Sequence, residues 1–489
     1  MTNDKSIPNN QCQIGLDEIL KATQGRLISQ HKTSFSSIFI DTRTLKPGAL
    51  YICIVGKNHD GHKFIGQAIE KGATGILISK YPKSEIRNLT LRLRSGSADT
   101  EHRAESRCPK QTQKITIIKV KDTLKALQDL AAYHRAKFDI PVVGITGSCG
   151  KTTTKDMIAS ILSQKMPAHK NQENLNNEIG VPLTLLNLKP QHKAAVIEMG
   201  MQGLKEIELL AKITRPTIAV ITNIGEAHLL QMKHKKNIAK AKSEILKFLK
   251  PGDTAILPAD DEYFKYLKSQ VISHKSQVIT FGIYKEADVM PKDLEGINLP
   301  IPGYHSIYNA LSAIAVAKAL KIVAVAIKKG LENFETSSNR MKIIKKKHLT
   351  IINDAYNANP TSMRAALNTL AQWDTERVPR AESRRSRRVL KVAILGDMLE
   401  LGKHSKKAHF EIGKLVAKLK IDLLISIGKE SQQIFAGAKK AGLKENYYYS
   451  DKKAAAQKVK SALSSNAVVL IKGSRGMHLE ELLNHTSLS

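Results

Sequence analysis

The sequence has few cysteines and no long apolar run, and both features limit the classes to which the protein can belong. Its four cysteines, Cys12, Cys53, Cys108 and Cys149, are scattered without any C-x-x-C pair. This spacing is typical neither of a zinc site nor of a disulfide framework, so we expect reduced thiols. No apolar stretch approaches the length of a membrane span, and residues 1–13 lack the apolar core of a secretory signal. We therefore expect a cytoplasmic protein without a stable membrane anchor.

Acidic residues are also few compared with basic ones. The chain has 44 aspartates and glutamates against 77 lysines and arginines, which gives a formal net charge of +33. This excess is compatible with binding of nucleic acid, or with lysines spread over solvated faces of a protein that takes small anionic substrates. The basic residues are dispersed along the chain, and no aromatic-interleaved basic motif accompanies them. Their distribution favours small anionic substrates and no nucleic-acid partner.

The length and the order of elements predict three α/β domains. A chain of 489 residues is too long for one ordinary core, and 42% hydrophobic residues are enough for packed cores. Short apolar strands alternate with helical segments, which is the pattern of parallel sheets with crossover helices. The last set of strands predicts a second open, Rossmann-like sheet. We place the three domains at residues 1–121, 122–337 and 338–489.

The motif RAESR occurs twice, at residues 103–107 and 380–384. The copies lie in polar, basic stretches at about 84–113 and 374–389, and neither copy has helical or strand periodicity. A patch for nucleic acid or a partner is one interpretation. We favour a repeated insertion that surface loops tolerate. Deletion of both copies should therefore leave activity largely intact.

A glycine-rich turn between a predicted strand and a predicted helix reads GITGSCGKTTT over residues 144–154. Glycines let main-chain N–H groups approach phosphate oxygens at the positive end of a helix dipole. Lys151 supplies a charge for the outer phosphates, and the Thr152 hydroxyl can bind magnesium. Ile145 stands where the usual phosphate loop has glycine, so the loop is a variant; a purely structural turn is the less favoured alternative. The predicted nucleotide-binding residues of the loop are Gly147, Ser148, Cys149, Gly150, Lys151, Thr152 and Thr153.

The loop resembles the T-G-S-x-G-K-T-T segment of the Mur ligases, which extend the peptide stem of the peptidoglycan precursor. Three longer segments strengthen the resemblance: NLNNEIGVP at 174–182, DAYNANP at 354–360 and GDMLELG at 396–402. They resemble the branch that joins D-alanyl-D-alanine to UDP-N-acetylmuramoyl-tripeptide. The resemblance implies an ATP- and magnesium-dependent ligase that forms an amide bond through an acyl phosphate. It also implies a UDP-binding first domain, a central ATPase domain and a C-terminal ligase domain, and we expect a monomer.

Two metal-binding candidates follow predicted strands. Glu198 ends one strand and His228 follows the next, so both should lie at the carboxyl edge of the sheet, where open α/β folds bind ligands. A carboxylate and a hydroxyl suit magnesium, whereas an imidazole is a less usual ligand. The residues alone leave His228 undecided between a metal ligand and a structural role. The resemblance implies that Thr152, Glu198 and His228 bind magnesium, and we expect two ions.

Lys242 is a further candidate because of its position on a predicted helix. It shares the spacing i, i+4, i+7 and i+11 with Ile238, Ile245 and Leu249, which puts it on an apolar stripe. Burial lowers the pKa of a lysine, and a neutral amine can react with carbon dioxide to form an anionic carbamate that binds a second magnesium. A lysine whose amine reaches solvent is the alternative, and the residues alone leave both open. The resemblance favours a carbamylated lysine, since several Mur ligases carry one at the matching position.

The resemblance implies roles for residues of all three domains. Asn309 and Arg340 match nucleotide contacts, and Asp354 matches the carboxylate that holds the ATP ribose; a solvated charge is the alternative for Arg340. The implied catalytic residues are Lys151, Lys242, His228 and Arg340. The implied uridine-nucleotide contacts are Asp41, Thr42, Arg43, Asn58, His59 and Asp60. The other implied substrate contacts are Asn174, Asn176, Asn177, Tyr356, Asn357, Asn359, Asp397 and Glu400.

Two rival functions remain open. Another ligase of the superfamily, such as a folylpolyglutamate synthase, would share the ATP chemistry but not the N-x-N-N and D-M-L-E-L-G segments. A basic nucleic-acid-dependent NTPase would account for the charge and the phosphate loop, but not for Lys242, Asp354 or the first domain. Stimulation of ATP hydrolysis by nucleic acid would distinguish this last class.

Overall fold

A computed structural model describes residues 13–56, 59–81, 115–172, 174–272, 275–301, 303–335, 340–346, 348–373, 389–464 and 466–483. Both RAESR copies, Cys12, Cys108 and Asn58 lie outside the described residues, and neither Cys53 nor Cys149 forms a disulfide within the described residues. Every helix among the described residues is too short or too polar to cross a membrane.

The chain divides into two compact units. The first contains Met1–Ile140, Asn174–His192 and Lys212–Thr214. The second contains Pro141–Glu173, Lys193–Ala211 and Arg215–Ser489.

The first unit has a small, mostly parallel sheet of order β2-β7-β6-β5-β4, in which β2 runs antiparallel to β7. Its core includes the buried sides of β5, β6 and β7, and fully buried strands are typical of a sheet covered on both faces. A separate antiparallel pair joins β1 to β3. The strands are β1 (Ile14–Gly15), β2 (Arg26–Ser29), β3 (Ser34–Phe35), β4 (Ile38–Phe39), β5 (Leu50–Ile52), β6 (Gly75–Ile78) and β7 (Thr116–Lys119).

The second unit contains two six-stranded sheets among the described residues. The first is parallel throughout, with the order β13-β12-β11-β8-β10-β9; the second has the order β14-β15-β19-β16-β17-β18, with β14 antiparallel at one edge. The strands of the first sheet are β8 (Val142–Thr146), β9 (Ala168–Lys170), β10 (Ala194–Glu198), β11 (Ile218–Ile221), β12 (Thr254–Pro258) and β13 (Gln277–Phe281). The strands of the second are β14 (Lys342–Lys346), β15 (Leu349–Asp354), β16 (Leu390–Gly396), β17 (Leu423–Ile427), β18 (Asn446–Tyr449) and β19 (Ala467–Lys472).

Helices connect the parallel strands, as the alternating pattern predicts. Asp122 caps the helix that follows β7 by accepting hydrogen bonds from the N–H groups of Leu124 and Lys125. The helices are α1 (Leu16–Thr23), α2 (Ile65–Glu70), α3 (Thr123–Arg135), α4 (Lys151–Ser163), α5 (Gly180–Leu185), α6 (Glu206–Thr214), α7 (Leu229–Met232), α8 (Lys235–Ser243), α9 (Phe264–Ile272), α10 (Tyr304–Ala319), α11 (Ala324–Glu332), α12 (Pro360–Ala371), α13 (Ser405–Lys418), α14 (Gln432–Lys440) and α15 (Lys452–Leu463).

The last sheet is buried on both faces. Ile351 and Val392 belong to one hydrophobic core, whereas the next residues of the same strands, Ile352 and Ala393, belong to another. Successive side chains of a strand point to opposite faces, so each face of this sheet is covered by its own apolar layer. This confirms the predicted Rossmann-like α/β class for the C-terminal region.

The segment that carries Lys242 differs from the prediction of one continuous helix. Helix α8 ends at Ser243, residues Glu244–Phe248 form a 3₁₀-helix, and Leu249 is extended. The Ser243 hydroxyl donates to the carbonyl oxygen of Lys240 at 2.8 Å, and such a bond to the preceding turn competes with regular helix. The predicted i+7 and i+11 register therefore ends at Ser243. The residues of the stripe are nevertheless all buried: Ile238, Lys242, Ile245 and Leu249.

Candidate active site

The phosphate loop connects β8 to α4, and two glycines determine its path. Gly147 has φ +155° and Gly150 has φ +81°. A Cβ atom at Gly147 would lie 1.8 Å from Thr222 Oγ1, and one at Gly150 would lie 2.2 Å from Asn309 Oδ1. Both distances are far inside van der Waals contact, so the loop needs glycine at both positions. The same geometry places Asn309, a predicted nucleotide contact on α10, directly against the loop.

The segment after β11 supports the loop by hydrogen bonds. The N–H groups of Ser148 and Cys149 donate to the main-chain oxygen and to Oδ1 of Asn223, each at 3.1 Å. The Cys149 carbonyl accepts from Thr222 Oγ1 at 2.6 Å and from Asn223 Nδ2 at 3.0 Å. Burial raises the pKa of the Cys149 thiol, so this cysteine is a poor nucleophile at neutral pH.

Two lysine side chains meet at one oxygen of the loop. The Gly147 carbonyl accepts from Lys151 Nζ at 2.8 Å and from Lys242 Nζ at 3.0 Å. Lys242 is 1% exposed, so of the two alternatives that its spacing left open the structure shows the buried side chain rather than an amine that reaches solvent. Burial lowers the pKa of Lys242 well below its ordinary value, and the charge of Lys151 lowers it further. Burial also lowers the pKa of Lys151, against an opposing effect of Glu198.

Glu198, at the end of β10, provides the negative charge opposite these lysines. Its Oε2 accepts a hydrogen bond from Thr152 Oγ1 at 2.7 Å, and the side chain is fully buried. Burial alone would raise the pKa of Glu198. The cations Arg340, Lys155 and Lys151, in this order of effect, nevertheless lower the pKa below its ordinary value. Glu198 is therefore an ionised carboxylate beside a hydroxyl, which suits a hard divalent cation.

The oxygens of Thr152 and Glu198 suit a magnesium ion that takes most of its ligands from substrate and water. The described residues contain no group of three or more His, Cys, Asp or Glu side chains that could hold a metal ion. Thr152 and Glu198 offer two oxygen donors, and Mg²⁺ usually keeps phosphate oxygens and waters as its other ligands. An unmodified Lys242 amine adds no oxygen donor, whereas its carbamate would.

Two buried residues around Glu198 are missed by sequence reasoning. Lys155 Nζ donates to the main-chain oxygen of Asn171 at 3.0 Å. The Asn171 side chain in turn brackets the Glu198 main chain: its Nδ2 donates to the carbonyl oxygen and its Oδ1 accepts from the N–H, each at 2.9 Å. The helical spacing argument would have found Lys155, because Ile158 and Leu162 follow it at i+3 and i+7.

His228 lies close to Glu400, a residue that the sequence places in a different segment. Both have left-handed backbones, with φ +61° and φ +64°. His228 Nδ1 is 3.2 Å from Glu400 Oε2, and the Leu230 N–H donates to the Glu400 carbonyl at 3.3 Å. Burial, followed by the charges of Lys151 and Lys242, lowers the pKa of His228 to about 4. The imidazole is therefore neutral at physiological pH.

Arg340 lies two residues before β14, and Asp354 is the last residue of β15. The guanidinium carbon of Arg340 is 4.0 Å from the centroid of the Tyr356 ring. Arg340 also lowers the pKa of Glu198 more than any other cation does, so it lies within electrostatic reach of the phosphate loop. Asp354 Oδ2 accepts from Lys472 Nζ at 2.5 Å.

Comparison with known proteins relates this arrangement to one enzyme family. Residues 34–135 match the model "Mur ligase family, catalytic domain", residues 145–317 match "Mur ligase middle domain", and residues 339–475 match "Mur ligase, glutamate ligase domain". The UDP-N-acetylmuramoyl-tripeptide--D-alanyl-D-alanine ligase of Bacillus subtilis (strain 168) is 35% identical over 469 residues, which cover 92% of this chain and 93% of the relative. The chain belongs to the Mur ligase family.

Solved structures agree with this membership. MurF from Acinetobacter baumannii superimposes with a TM-score of 0.81 at 29% identity, covering 96% of this chain and 98% of that one. MurF from Thermotoga maritima in complex with ADP gives a TM-score of 0.70 at 25% identity, covering 91% and 96%. The predicted Mur ligase fold is confirmed.

Several residues in the C-terminal region of this Mur ligase that are predicted to contact substrate form hydrogen bonds within the protein. Asn359 caps α12, and the Asn357 carbonyl accepts from Lys472 Nζ at 2.9 Å. Asp397 Oδ1 accepts from both the N–H and the hydroxyl of Ser431, each at 2.7 Å. These bonds hold the strand ends of the last sheet in place, and the substrate roles of the three residues stay predictions.

The residues predicted to bind the uridine nucleotide lie in the first unit of the Mur ligase. Asp41 forms an ion pair with Arg43 at 2.6 Å. Thr42 is buried, and its hydroxyl donates to Gln67. In the turn after β4, Arg43 is exposed and Asp41 is half-buried, while Thr42 anchors the turn to α2.

Two further groups of predicted contacts also lie in the first unit. The His59 ring stacks on Phe64 with centroids 5.1 Å apart. Asp60 Oδ1 lies 2.7 Å from Nδ1 of the buried His62.

In the N-x-N-N segment, the Asn176 N–H donates to the Asn174 carbonyl at 2.8 Å. Asn177 Oδ1 accepts from the Gly180 N–H at 2.8 Å, at the start of α5.

Proposed function

We propose that the protein joins D-alanyl-D-alanine to UDP-N-acetylmuramoyl-tripeptide at the expense of ATP, and so forms the pentapeptide precursor of peptidoglycan. The observation that carries the proposal is similarity along more than nine-tenths of the chain to a relative named for this reaction. The phosphate loop and its cationic surroundings supply the matching chemistry. A UDP-linked substrate and ATP support a cytoplasmic location. We also propose that the three domains comprise residues 1–121, 122–337 and 338–489 and that the protein is a monomer.

The first step transfers the γ-phosphoryl group of ATP to the terminal carboxylate of the tripeptide. A carboxylate oxygen forms a bond to the γ-phosphorus, and the bond from that phosphorus to ADP breaks. Charge on the transferring group is the main obstacle in such a reaction. Lys151 and Arg340 provide positive charge for it. The first N–H groups of α4 have no partner within the helix and point toward the same loop.

Magnesium, when bound, would neutralise phosphate charge and polarise the bond that breaks. Thr152 and Glu198 would hold one ion, since their oxygens lie together and Glu198 is kept ionised by three cations. A carbamate at Lys242 and the neutral imidazole of His228 would hold a second. The buried amine of Lys242 supports this assignment, because burial and Lys151 favour its unprotonated, reactive form.

In the second step the amine of the dipeptide attacks the acyl phosphate, an amide bond forms and phosphate leaves. The acyl phosphate has to be protected from water. Contacts between the segment after β11 and α12 support a closed arrangement around the phosphate loop. Arg364 and Glu226 form an ion pair at 2.5 Å, and a Cβ atom at Gly225 would lie 2.9 Å from Thr361 Oγ1.

The test is phosphate release from Mg-ATP with UDP-N-acetylmuramoyl-tripeptide, with and without D-alanyl-D-alanine, followed by the mass of the product. We expect release that requires both substrates and a mass gain equal to the dipeptide minus water. A Lys151→Met variant should release no phosphate and serves as the control. Release with another amine or with nucleic acid, but not with this dipeptide, would overturn the proposal.

A further inference from the structure

Asn171 continues the central sheet beyond the end of a strand. The pairing of β9 with β10 ends at Lys170 and Val196, two residues before Glu198. Beyond this point the side-chain amide of Asn171 takes the place of a strand. Its Nδ2 donates to the Glu198 carbonyl and its Oδ1 accepts from the Glu198 N–H, each at 2.9 Å. A side-chain amide offers the same kinds of donor and acceptor as a main-chain peptide group, so the sheet extends by one pair of hydrogen bonds.

The main chain of Glu198 is thereby held on both sides of β10. On the other side Glu198 pairs with Ile145 of β8, and the N–H of the next residue, Met199, donates to the Ile145 carbonyl at 2.8 Å. Asn171 and Glu198 are both fully buried. A buried N–H or carbonyl group without a partner is costly, so loss of the Asn171 amide would favour a shift of the Glu198 main chain.

Helix α4 holds the same two residues from a third direction. Thr152 Oγ1 donates to Glu198 Oε2 at 2.7 Å, and Lys155 Nζ donates to the Asn171 carbonyl at 3.0 Å. Thr152 and Lys155 are three residues apart, so they lie on one face of the helix, and each is 1% exposed. Thr152, Glu198, Asn171 and Lys155 therefore form a closed circuit of hydrogen bonds, which we call the buried circuit.

A second contact ties α4 to the end of β9. Lys170, the last residue of β9, forms an ion pair with Asp156 at 2.7 Å, and Asp156 is 2% exposed. Lys155 Nζ is 3.7 Å from the same carboxylate oxygen. Asn171 follows Lys170 directly, so α4 holds two successive residues at this point of the chain. The buried circuit is thus anchored on a helix and on two strands, which are rigid elements.

We propose that Asn171 is a positioning residue for the divalent cation: it fixes Glu198 opposite Thr152, and the resulting spacing of their two oxygens gives the site a preference for Mg²⁺ over Ca²⁺. The inference rests on the proposed function, which assigns one magnesium ion to these two oxygens. Ligands at right angles are about 2.9 Å apart around Mg²⁺ and about 3.4 Å apart around Ca²⁺. The oxygens of Thr152 and Glu198 are 2.7 Å apart, and the buried circuit keeps them from separating.

The test replaces Asn171 by Leu, which has a similar volume but forms no side-chain hydrogen bond. Both side chains are uncharged, so a change in metal binding cannot come from the charge of the replaced residue. Mn²⁺ bound by the protein with ADP is followed by electron paramagnetic resonance, with ADP alone as the reference, and Mg²⁺ or Ca²⁺ is added as the competitor.

In wild type we expect Mg²⁺ to displace Mn²⁺ at a lower concentration than Ca²⁺ does. In Asn171→Leu the affinity for Mg²⁺ should fall about 10- to 100-fold, as is typical when a residue that orients a metal ligand is lost, and the preference over Ca²⁺ should disappear. The Mg²⁺ concentration for half-maximal phosphate release should rise in parallel, while the KM for D-alanyl-D-alanine should not change. Asn171→Ser keeps a hydroxyl that is too short to reach both main-chain groups of Glu198. It should have a smaller effect in the same direction, and it replaces Asn171→Leu if that variant does not fold.

Asn446→Leu is the matched control. Asn446 Nδ2 also donates to a main-chain oxygen of another element, that of Phe435 at 2.9 Å, but it does so beside the last sheet. Asn446→Leu should lower the Tm and leave the preference for Mg²⁺ intact. The same loss of preference in Asn446→Leu would overturn the inference.

Unchanged affinity for Mg²⁺ and an unchanged preference over Ca²⁺ in the folded Asn171 variants would also overturn the inference. Wild type that binds Ca²⁺ as tightly as Mg²⁺ would overturn it as well. All of these results are compatible with dipeptide-dependent phosphate release and leave the proposed function standing. No dipeptide-dependent release in wild type would instead remove the proposed function.

Discussion

Lys151 and Lys242 donate to the same main-chain oxygen, that of Gly147, at 2.8 and 3.0 Å. Two ammonium groups at one acceptor repel each other, and burial penalises the charged form of both. The pKa of Lys242 lies well below its ordinary value, so this side chain loses its proton more readily than it would in water. The pair thus consists of an amine that can react with carbon dioxide and a cation that would stabilise the resulting anion.

Replacement of Lys242 should abolish ligase activity. Lys242→Ala removes the amine that we propose to be carbamylated, and a small carboxylic acid such as acetate should restore part of the activity by supplying the missing anion. Phosphate release with both substrates measures the effect. Lys240→Ala on the same helix is the control, because Lys240 is exposed and should be dispensable. Full activity of Lys242→Ala would contradict the carbamate.

A side chain at Gly147 should open the phosphate loop. In Gly147→Ala the new Cβ would lie 1.8 Å from Thr222 Oγ1, the hydroxyl that holds the Cys149 carbonyl. We expect loss of ATP binding, measured by titration calorimetry. Gly252→Ala is the matched control: its φ is also positive, at +91°, but nothing lies within 4 Å. That variant should lose about 1 kcal/mol of stability and bind ATP normally. Normal ATP binding by Gly147→Ala would disprove the predicted role of the loop.

The stability of the metal-free protein should depend on His228 in acid. The folded-state pKa of His228 is about 4, below the ordinary 6.5. Between these values the unfolded chain binds a proton at this residue and the folded chain does not, so stability falls as the pH drops through this window. The loss is up to about 3 kcal/mol. His228→Gln should therefore show a smaller decrease in Tm than wild type between pH 7 and pH 4.5, by calorimetry. Equal decreases would contradict the shifted pKa.

Asp397 should contribute to stability as well as to any substrate contact. Asp397→Ala leaves the buried N–H and hydroxyl of Ser431 without their acceptor, which costs about 1–3 kcal/mol. Ser431→Ala removes one of the two bonds and should cost less. Thermal unfolding of both variants measures the difference. An unchanged Tm in Asp397→Ala would show that this carboxylate is not a structural acceptor and would leave substrate binding as its main role.

Local patterns predicted much of the fold. Apolar runs bounded by turns predicted β8, before the phosphate loop, β10, which ends at Glu198, and a last set of strands in the C-terminal region, because strands of a parallel sheet are apolar on both faces. The spacing of apolar residues placed Lys242 on the apolar stripe of its helix but left its burial open, and the helix changes to a 3₁₀-helix after Ser243. The spacing of apolar residues does not predict the change to a 3₁₀-helix, because this change depends on a hydrogen bond from Ser243 to the preceding turn.

The sequence by itself determined the chemistry: a phosphate loop with its lysine and threonine, and long segments that resemble the Mur ligases. Only the tertiary structure decided which residues meet. Asn171 brackets Glu198 because β9 and β10 are neighbours, and Lys472 reaches Asp354 because β15 and β19 are neighbours. Sheet order follows from the packing of whole elements, to which residues far apart in the chain contribute, so no local pattern of residues contains it.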